Sequence, residues 1–325
     1  MKKKILIYGS VCLGLLAALL VGASFYMVDY ALARRHTKWT EQRAWQRVQD
    51  YYPWTAEWTD SVRAEGVLRD TFIMTEDGRR LHAYYLPRHP KHDTVSVART
   101  ALLIHGYRNS AIDMMHLGYM YHHALGCNIL LPDLHAHGQS DGESIQMGWK
   151  DRLDALLWCR VADSMFSAPM VVHGISMGAA TTMMLSGEEG VPASITHFVE
   201  DCGYTSAWDE FKGELSSQFS LPAFSLLHVT SLLCDAMYGW NFTEASALRQ
   251  VEKCTKPMLF VHGDADTFVP TWMVHPLHEA HGGEKQLWLT EGVEHALSYQ
   301  KYPLEYTAVI SSFIRLYEDE DALDN

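Results

Sequence analysis

The amino-acid sequence predicts an α/β domain built on a mostly parallel sheet with helices on both faces, preceded by an apolar N-terminal helix. Three observations carry that expectation. Short apolar runs, "TALLIHG", "CNILLPD", "PMVVHG", "ITHFVED", "PMLFVHG" and "KQLWLT", recur along the chain, and continuous hydrophobicity is what a strand buried on both faces requires. Helix-length amphipathic segments separate them, and alternation of the two specifies crossover connections and parallel pairing. Nearly every run ends in a polar or glycine-containing loop, and ligands bind at the carboxyl ends of the strands in such sheets.

Taken in order, the elements begin with "MKKK" followed by Ile5 to Val28, 24 positions without a charge. A helix of that length reaches roughly 36 Å at about 1.5 Å per residue, enough to cross a hydrocarbon core of about 30 Å. Residues 1–28 therefore read as a transmembrane anchor. A cleaved signal peptide is the alternative, with Lys2 to Lys4 as its basic start and "VGA" before Ser24 as its cleavage site; the run exceeds the usual apolar stretch of about 7–15 residues. Arg34, Arg35, Lys38, Arg43 and Arg47 follow the span and compete with the three lysines over orientation. An inside N-terminus with the domain outside the cytoplasm is the expectation, against secretion after cleavage or a cytoplasm-facing domain. Residues 29–65 read as a linking helical segment whose Trp39, Trp45, Tyr51, Tyr52, Trp54 and Trp58 suit either a membrane interface or packing on the domain.

The domain proper, residues 66–317, opens with "VLRDTFIM" and "RRLHAYYL", two β-rich runs joined by a turn at Asp77-Gly78. Covering helices are expected over 111–124, 149–163, 177–187, 272–281 and 303–317. Residues 204–253, with helical stretches and Pro222, interrupt the alternation as a cap inserted between two strands, and residues 318–325 form a solvated acidic tail.

Composition narrows the function. A chain of 325 residues, 48% hydrophobic, can bury a large core. Its formal charge of -13, with no basic cluster beyond the extreme N-terminus, excludes a nucleic-acid partner. Six cysteines include Cys12 within the apolar span and no C-x-x-C pair, so they read as small buried hydrophobes and not as a disulfide framework. "HAH" at 135–137 and His122-His123 are the nearest approaches to metal-ligand clusters, but neither has H-E-x-x-H spacing or an evident third ligand. G-x-G-x-x-G is absent. No metal and no cofactor are expected.

Chemistry concentrates in "VVHGISMGAA", where Ser176 stands in G-x-S-x-G between a strand and a small-residue helix. A strand that turns at once into a helix pushes its serine into a strained, exposed conformation, and the flanking glycines avoid collisions there. A helix N-cap is the bland alternative for Ser176. A serine hydroxyl needs a base, and the base needs an acid. His295 in "EGVEHALSY" follows the last apolar strand, whereas His275, His278 and His281 share one helix-like segment. Asp266 in "HGDADTFVP" follows the penultimate strand and leads Asp264 and Asp201 as the acid. The backbone N–H groups of Met177 and of Tyr107 in "HGYRNS" are the candidate oxyanion donors.

In order and spacing, "HGY", "PDLHAHGQSDG", "GISMG", "HGDADTFVP" and "GVEHALSY" resemble the α/β-hydrolase superfamily over residues 66–317, nearest its serine-aminopeptidase-like and acyl-ester hydrolase branch. The resemblance implies an eight-stranded, mostly parallel sheet and cofactor-free acyl transfer. Ala136 stands where relatives often have an arginine before His-Gly, so any part of that side chain in holding the loop is missing. The expected activity is that of a membrane-anchored serine hydrolase cleaving an ester, thioester or amide of a small acyl substrate. The apolar cap favours a lipid-like chain. A peptidase-like activity, or a catalytically silent protein that keeps the fold, are the alternatives.

Overall fold

The computed structural model describes residues 2–34, 39–88, 98–219 and 225–317. Arg35, Lys38, Pro222 and the acidic tail 318–325 lie outside the described residues. The chain opens with α1 (Lys2–Leu32), α2 (Glu41–Tyr51) and α3 (Ala56–Ala64), followed by β1 (Arg69–Met74), β2 (Arg80–Leu86) and β3 (Thr100–Ile104). The middle comprises α4 (Met115–Gly118), β4 (Asn128–Pro132), α5 (Asp151–Phe166), β5 (Met170–Ile175), α6 (Met177–Ser186) and β6 (Ile195–Asp201). After the cap helices α7 (Ala207–Phe219) and α8 (Leu226–Tyr238) come α9 (Ala247–Val251), β7 (Met258–Gly263), α10 (Val274–Ala280), β8 (Lys285–Thr290), α11 (Ser298–Lys301) and α12 (Pro303–Leu316).

The strands form one eight-stranded sheet in the order β1-β2-β4-β3-β5-β6-β7-β8. β1 and β2 pair antiparallel, as does β2 with β4, and every later pair is parallel. β3, β4, β5 and β7 are buried at every position, which is why they read as unbroken apolar runs. One face packs against α5, α6, α9 and the end of α1, the other against α2, α4 and α12. The segment expected as one helix over 111–124 is a 3₁₀ turn, α4 and a π turn in succession.

The linking segment packs on the domain. Ala44, Trp45 and Val48 of α2 are buried, Tyr52 stacks on His116 at 4.0 Å, and Arg47 binds Asp113 through two hydrogen bonds of 2.7 and 2.9 Å. Asp113 in turn accepts from the backbone and hydroxyl of Ser110, so this helix braces the loop that follows β3.

Helix α1 divides near its middle. It is apolar and almost wholly exposed from Leu6 through Gly22, but Ser24, Val28 and Leu32 are fully buried. Ser24 Oγ–H donates to the Leu226 carbonyl at the start of α8 (3.5 Å), and the Ile145 N–H donates to the Leu32 carbonyl (2.7 Å). Over Leu6–Leu32, a stretch that includes these docked turns, it is long and apolar enough by length and composition to cross a membrane.

Candidate active site

β5 ends at Ile175 and α6 begins at Met177, so the chain reverses within Ser176, which adopts φ 58° and ψ -119°. Such a conformation is costly for a residue with a Cβ and persists only where the surroundings enforce it. Here they do. A Cβ on Gly174 would lie 2.0 Å from the Gly178 carbonyl oxygen, and one on Gly178 would lie 2.0 Å from that of Ile104. The two glycines let helix, turn and neighbouring strand approach to backbone contact, and the Ser176 N–H is anchored on the Asp201 carbonyl at 2.8 Å.

Three strand ends bring the polar side chains together. Ser176 Oγ–H donates to His295 Nε2 at 2.8 Å, and His295 Nδ1–H donates to Asp266 Oδ2 at 2.7 Å. The loops after β7 and β8 are tied to one another: Ala265 N–H donates to the Val293 carbonyl (3.0 Å), and Gly292 N–H to Asp264 Oδ1 (2.6 Å). Asp264 is therefore spent on the loop. Asp201, buried and pushed up to about 6 by that burial, accepts from the Tyr306 hydroxyl instead. Of the three aspartates weighed from sequence, Asp266 is the one that meets His295.

Asp266 is almost fully buried, which pushes its carboxyl up, yet its partners outweigh burial and hold it below the usual carboxylate range. Oδ1 accepts the N–H groups of Phe268 and Val269 (2.9 and 3.0 Å), and Oδ2 faces His262 Nε2 at 3.5 Å as well as His295. His262, which the sequence reading passed over as strand core, is a second histidine on the same carboxylate. It donates to the Val269 carbonyl, and the nearby Asp266 and Glu200 hold its pKa above the ordinary value although burial lowers it. The Phe268 ring packs on His295 with centroids 4.8 Å apart.

The Met177 N–H points from the first position of α6. The loop after β3 carries the other candidate donor: a Cβ on Gly106 would meet the Ile175 carbonyl oxygen at 3.3 Å and Ser176 Cβ at 3.4 Å, which sets Tyr107 beside the serine. Among the described residues neither amide is taken by another acceptor.

Ser176 opens into a cavity of about 400 Å³ with predominantly apolar walls from α7, α8 and the end of α1, within the range of roughly 300–1,000 Å³ common for small-molecule sites. Phe211, Leu215, Leu226, Leu227 and Phe242 line it, together with two carboxyls, Glu210 and Glu214. Glu210 is buried, Oε2 has no hydrogen-bond partner among the described residues, and burial together with Glu214 drives its pKa well above normal.

Comparison with known proteins places the fold. The Pyrococcus furiosus esterase Pf2001 is 22% identical, with 77% of this chain and 91% of that chain covered at a TM-score of 0.62. Acetyl xylan esterase 1 from Thermoanaerobacterium sp. JW/SL YS485 is 15% identical, with 74% and 82% covered and a TM-score of 0.52. The chain has the α/β-hydrolase fold. By sequence, the uncharacterized protein YqkD of Bacillus subtilis (strain 168) is 27% identical over 225 residues, 69% of this chain and 72% of that one. No family model matches the chain.

Within this hydrolase fold the loop containing Ala136 is held by an arginine from elsewhere. Arg34, just past α1, donates to the carbonyls of Ser140 (2.7 Å), Gly142 (3.2 Å) and Gly138 (3.0 Å). That loop in turn scaffolds the one bearing Tyr107. Asp133 accepts from Ala111 N–H, Gln139 N–H and His82, the His137 ring accepts from Arg108 N–H, and the His105 ring accepts from Leu134 N–H. The histidines of "HAH" are thus committed, His135 to Arg79 and His137 to Arg108 and the His135 carbonyl. The described side chains that come closest to a metal-ligand grouping are Cys202, Asp266 and His295, two of which already bind each other.

Proposed function

We propose that this chain is a membrane-anchored serine hydrolase acting on acyl esters, with thioesters and amides within reach of the same chemistry. The observation that carries the reading is the unbroken hydrogen-bonded line from Asp266 through His295 to Ser176, ending in an apolar cavity. The esterases named above support a hydrolytic reaction by analogy of fold.

In this mechanism His295 Nε2 takes the Ser176 proton as Oγ forms a bond to the substrate carbonyl carbon. Negative charge develops on the carbonyl oxygen and is met by the Tyr107 and Met177 N–H groups. Asp266, with Oδ1 fixed by two backbone donors, stabilises the imidazolium and fixes its orientation. Collapse of the tetrahedral species breaks the bond to the leaving group, which departs with the proton from His295. Water, deprotonated by His295, then cleaves the acyl-serine ester, releasing a carboxylic acid and restoring the hydroxyl.

The apolar walls favour a hydrocarbon acyl group, whose burial stabilises the complex by about 0.8 kcal/mol per methylene. A second reading, cleavage of an aminoacyl amide, has one observation in its favour: Glu210 and Glu214 face the cavity, where an ammonium group would supply the partner that buried Glu210 Oε2 lacks. Active-site labelling with a fluorophosphonate tests the mechanism. Labelling of the full-length chain that disappears in Ser176→Ala and falls by at least about a thousandfold in His295→Ala is the expected result; folded protein that resists the reagent would refute it. Kinetics on esters of graded chain length beside aminoacyl amides separate the two substrate readings.

A further inference from the structure

Part of the cavity wall comes from neither the sheet nor the cap. Met27, Tyr30 and Ala31, in the last turns of α1, line it together with Ser176. Their spacing of three and four residues puts them on one helix face. These turns are fastened where the chemistry is: the Tyr107 hydroxyl donates to the Ala31 carbonyl at 2.5 Å, and the Arg108 guanidinium donates to the Tyr30 carbonyl at 2.6 Å. Ala31 is therefore the position held next to the Tyr107 loop. Met27 lies about 6 Å further along the axis, and one turn beyond it Ser24 holds the start of α8. At that point α1 leaves the domain, and Phe25, Tyr26 and nearly every residue from Leu6 to Ala23 are exposed.

We propose that the docked end of α1 is one wall of an acyl-chain channel, running from Ser176 past Ala31 and then Met27 to a mouth where the helix emerges. The substrate class that fits is a long-chain acyl lipid residing in the same bilayer as the helix. Its chain would pass from the hydrocarbon core into the channel along a continuous apolar surface, without the cost of exposing methylenes to water. Tyr30 stands edge-on to Phe219 with centroids 5.7 Å apart, and Leu226 and Leu227 line the same cavity, so the channel is closed by the cap on one side and by α1 on the other. The proposal rests on the serine-hydrolase reading.

Position along the helix makes it testable. In the full-length protein in detergent micelles, Ala31→Trp obstructs the channel near the serine and Met27→Trp obstructs it one turn further out. The ratio of kcat/KM for a twelve-carbon ester over a four-carbon ester is expected to fall by about tenfold or more in both, with the Ala31 variant cutting off at the shorter chain. Leu16→Trp, on the exposed stretch, should leave the ratio unchanged. An identical ratio in all three variants, or a cut-off independent of position, overturns the proposal.

A measurement on the unaltered chain guards against misfolded variants. A long-chain fluorophosphonate with a photoreactive group at the chain end, once attached to Ser176, should cross-link within residues 24–34. Cross-links confined to other segments overturn the channel while leaving the hydrolase intact. Failure of the reagent to attach at all overturns the hydrolase reading itself.

Discussion

Asp266 carries more of the site than a single hydrogen bond suggests, because each of its oxygens has two neighbours. Replacing it by Asn would leave the size of the side chain unchanged and remove the charge that favours the productive His295 tautomer. A fall in kcat of about 10⁴ is expected, whereas Asp264→Asn, which alters only a loop bond to Gly292, should stay within a few fold; steady-state kinetics on a short ester would distinguish them. Another buried carboxyl sets a pH dependence of stability. Glu200 has one oxygen bound by the Gly203 N–H and the other without a partner, and burial pushes it from an ordinary 4.5 to about 8. Between those values the folded protein holds a proton that the unfolded chain has released. Its stabilising contribution is therefore complete below about pH 4.5 and lost as pH rises through about 8. Glu200→Gln should stabilise the fold at pH 8 by on the order of a few kcal/mol, at about 1.4 kcal/mol per pKa unit, seen as a higher melting temperature, with the gain vanishing toward pH 5. A gain independent of pH would assign the effect elsewhere. Ser176, His295 and Asp266 could be singled out in the sequence because each follows an apolar strand directly. His262 and Glu210 could not, because a histidine within a strand and a glutamate on a helix acquire their meaning only from what the fold sets opposite them.

At the scale of elements, the strand–turn–helix unit around Ser176 has almost no tolerance. Gly178→Ala would put a methyl group onto the backbone of β3, and separation of the strand from the helix is expected to cost about 1–3 kcal/mol or more. Chemical denaturation would measure it, and a well-folded variant of unchanged stability would contradict the packing described. The central strands were legible because burial on both faces writes itself as an unbroken apolar run. The hairpin was legible from its turn. Residues 111–124 were not resolved into three helical types, since 3₁₀, α and π turns share nearly the same periodicity. The helices of the linking segment carried aromatics suited equally to lipid and to protein, and sequence holds no term for the partner surface. Arg34 shows the same limit. Its three carbonyl acceptors lie more than 100 positions away, and nothing local distinguishes it from its neighbour Arg35.

For the whole molecule, the decisive division falls within α1, whose apolar run is buried only toward its end. A chain lacking residues 2–23 should be folded and still labelled by fluorophosphonate, because Ser24 to Arg34 remain. A chain lacking residues 2–34 loses the bonds to Leu226, Ile145 and the 138–142 loop and should melt lower and label poorly; comparing thermal melts and labelling yields of the two truncations checks this. Ser24 and Leu226 are separated by 202 positions along the chain. The end of α1 leaves the ribosome long before its partner and therefore cannot complete its contacts until the second cap helix has been made. Loop closure over such a span is slow, and domains fold as units as synthesis proceeds. An order of assembly follows: the docked end of α1 waits, through most of the domain's synthesis, for the helix that locks it in place.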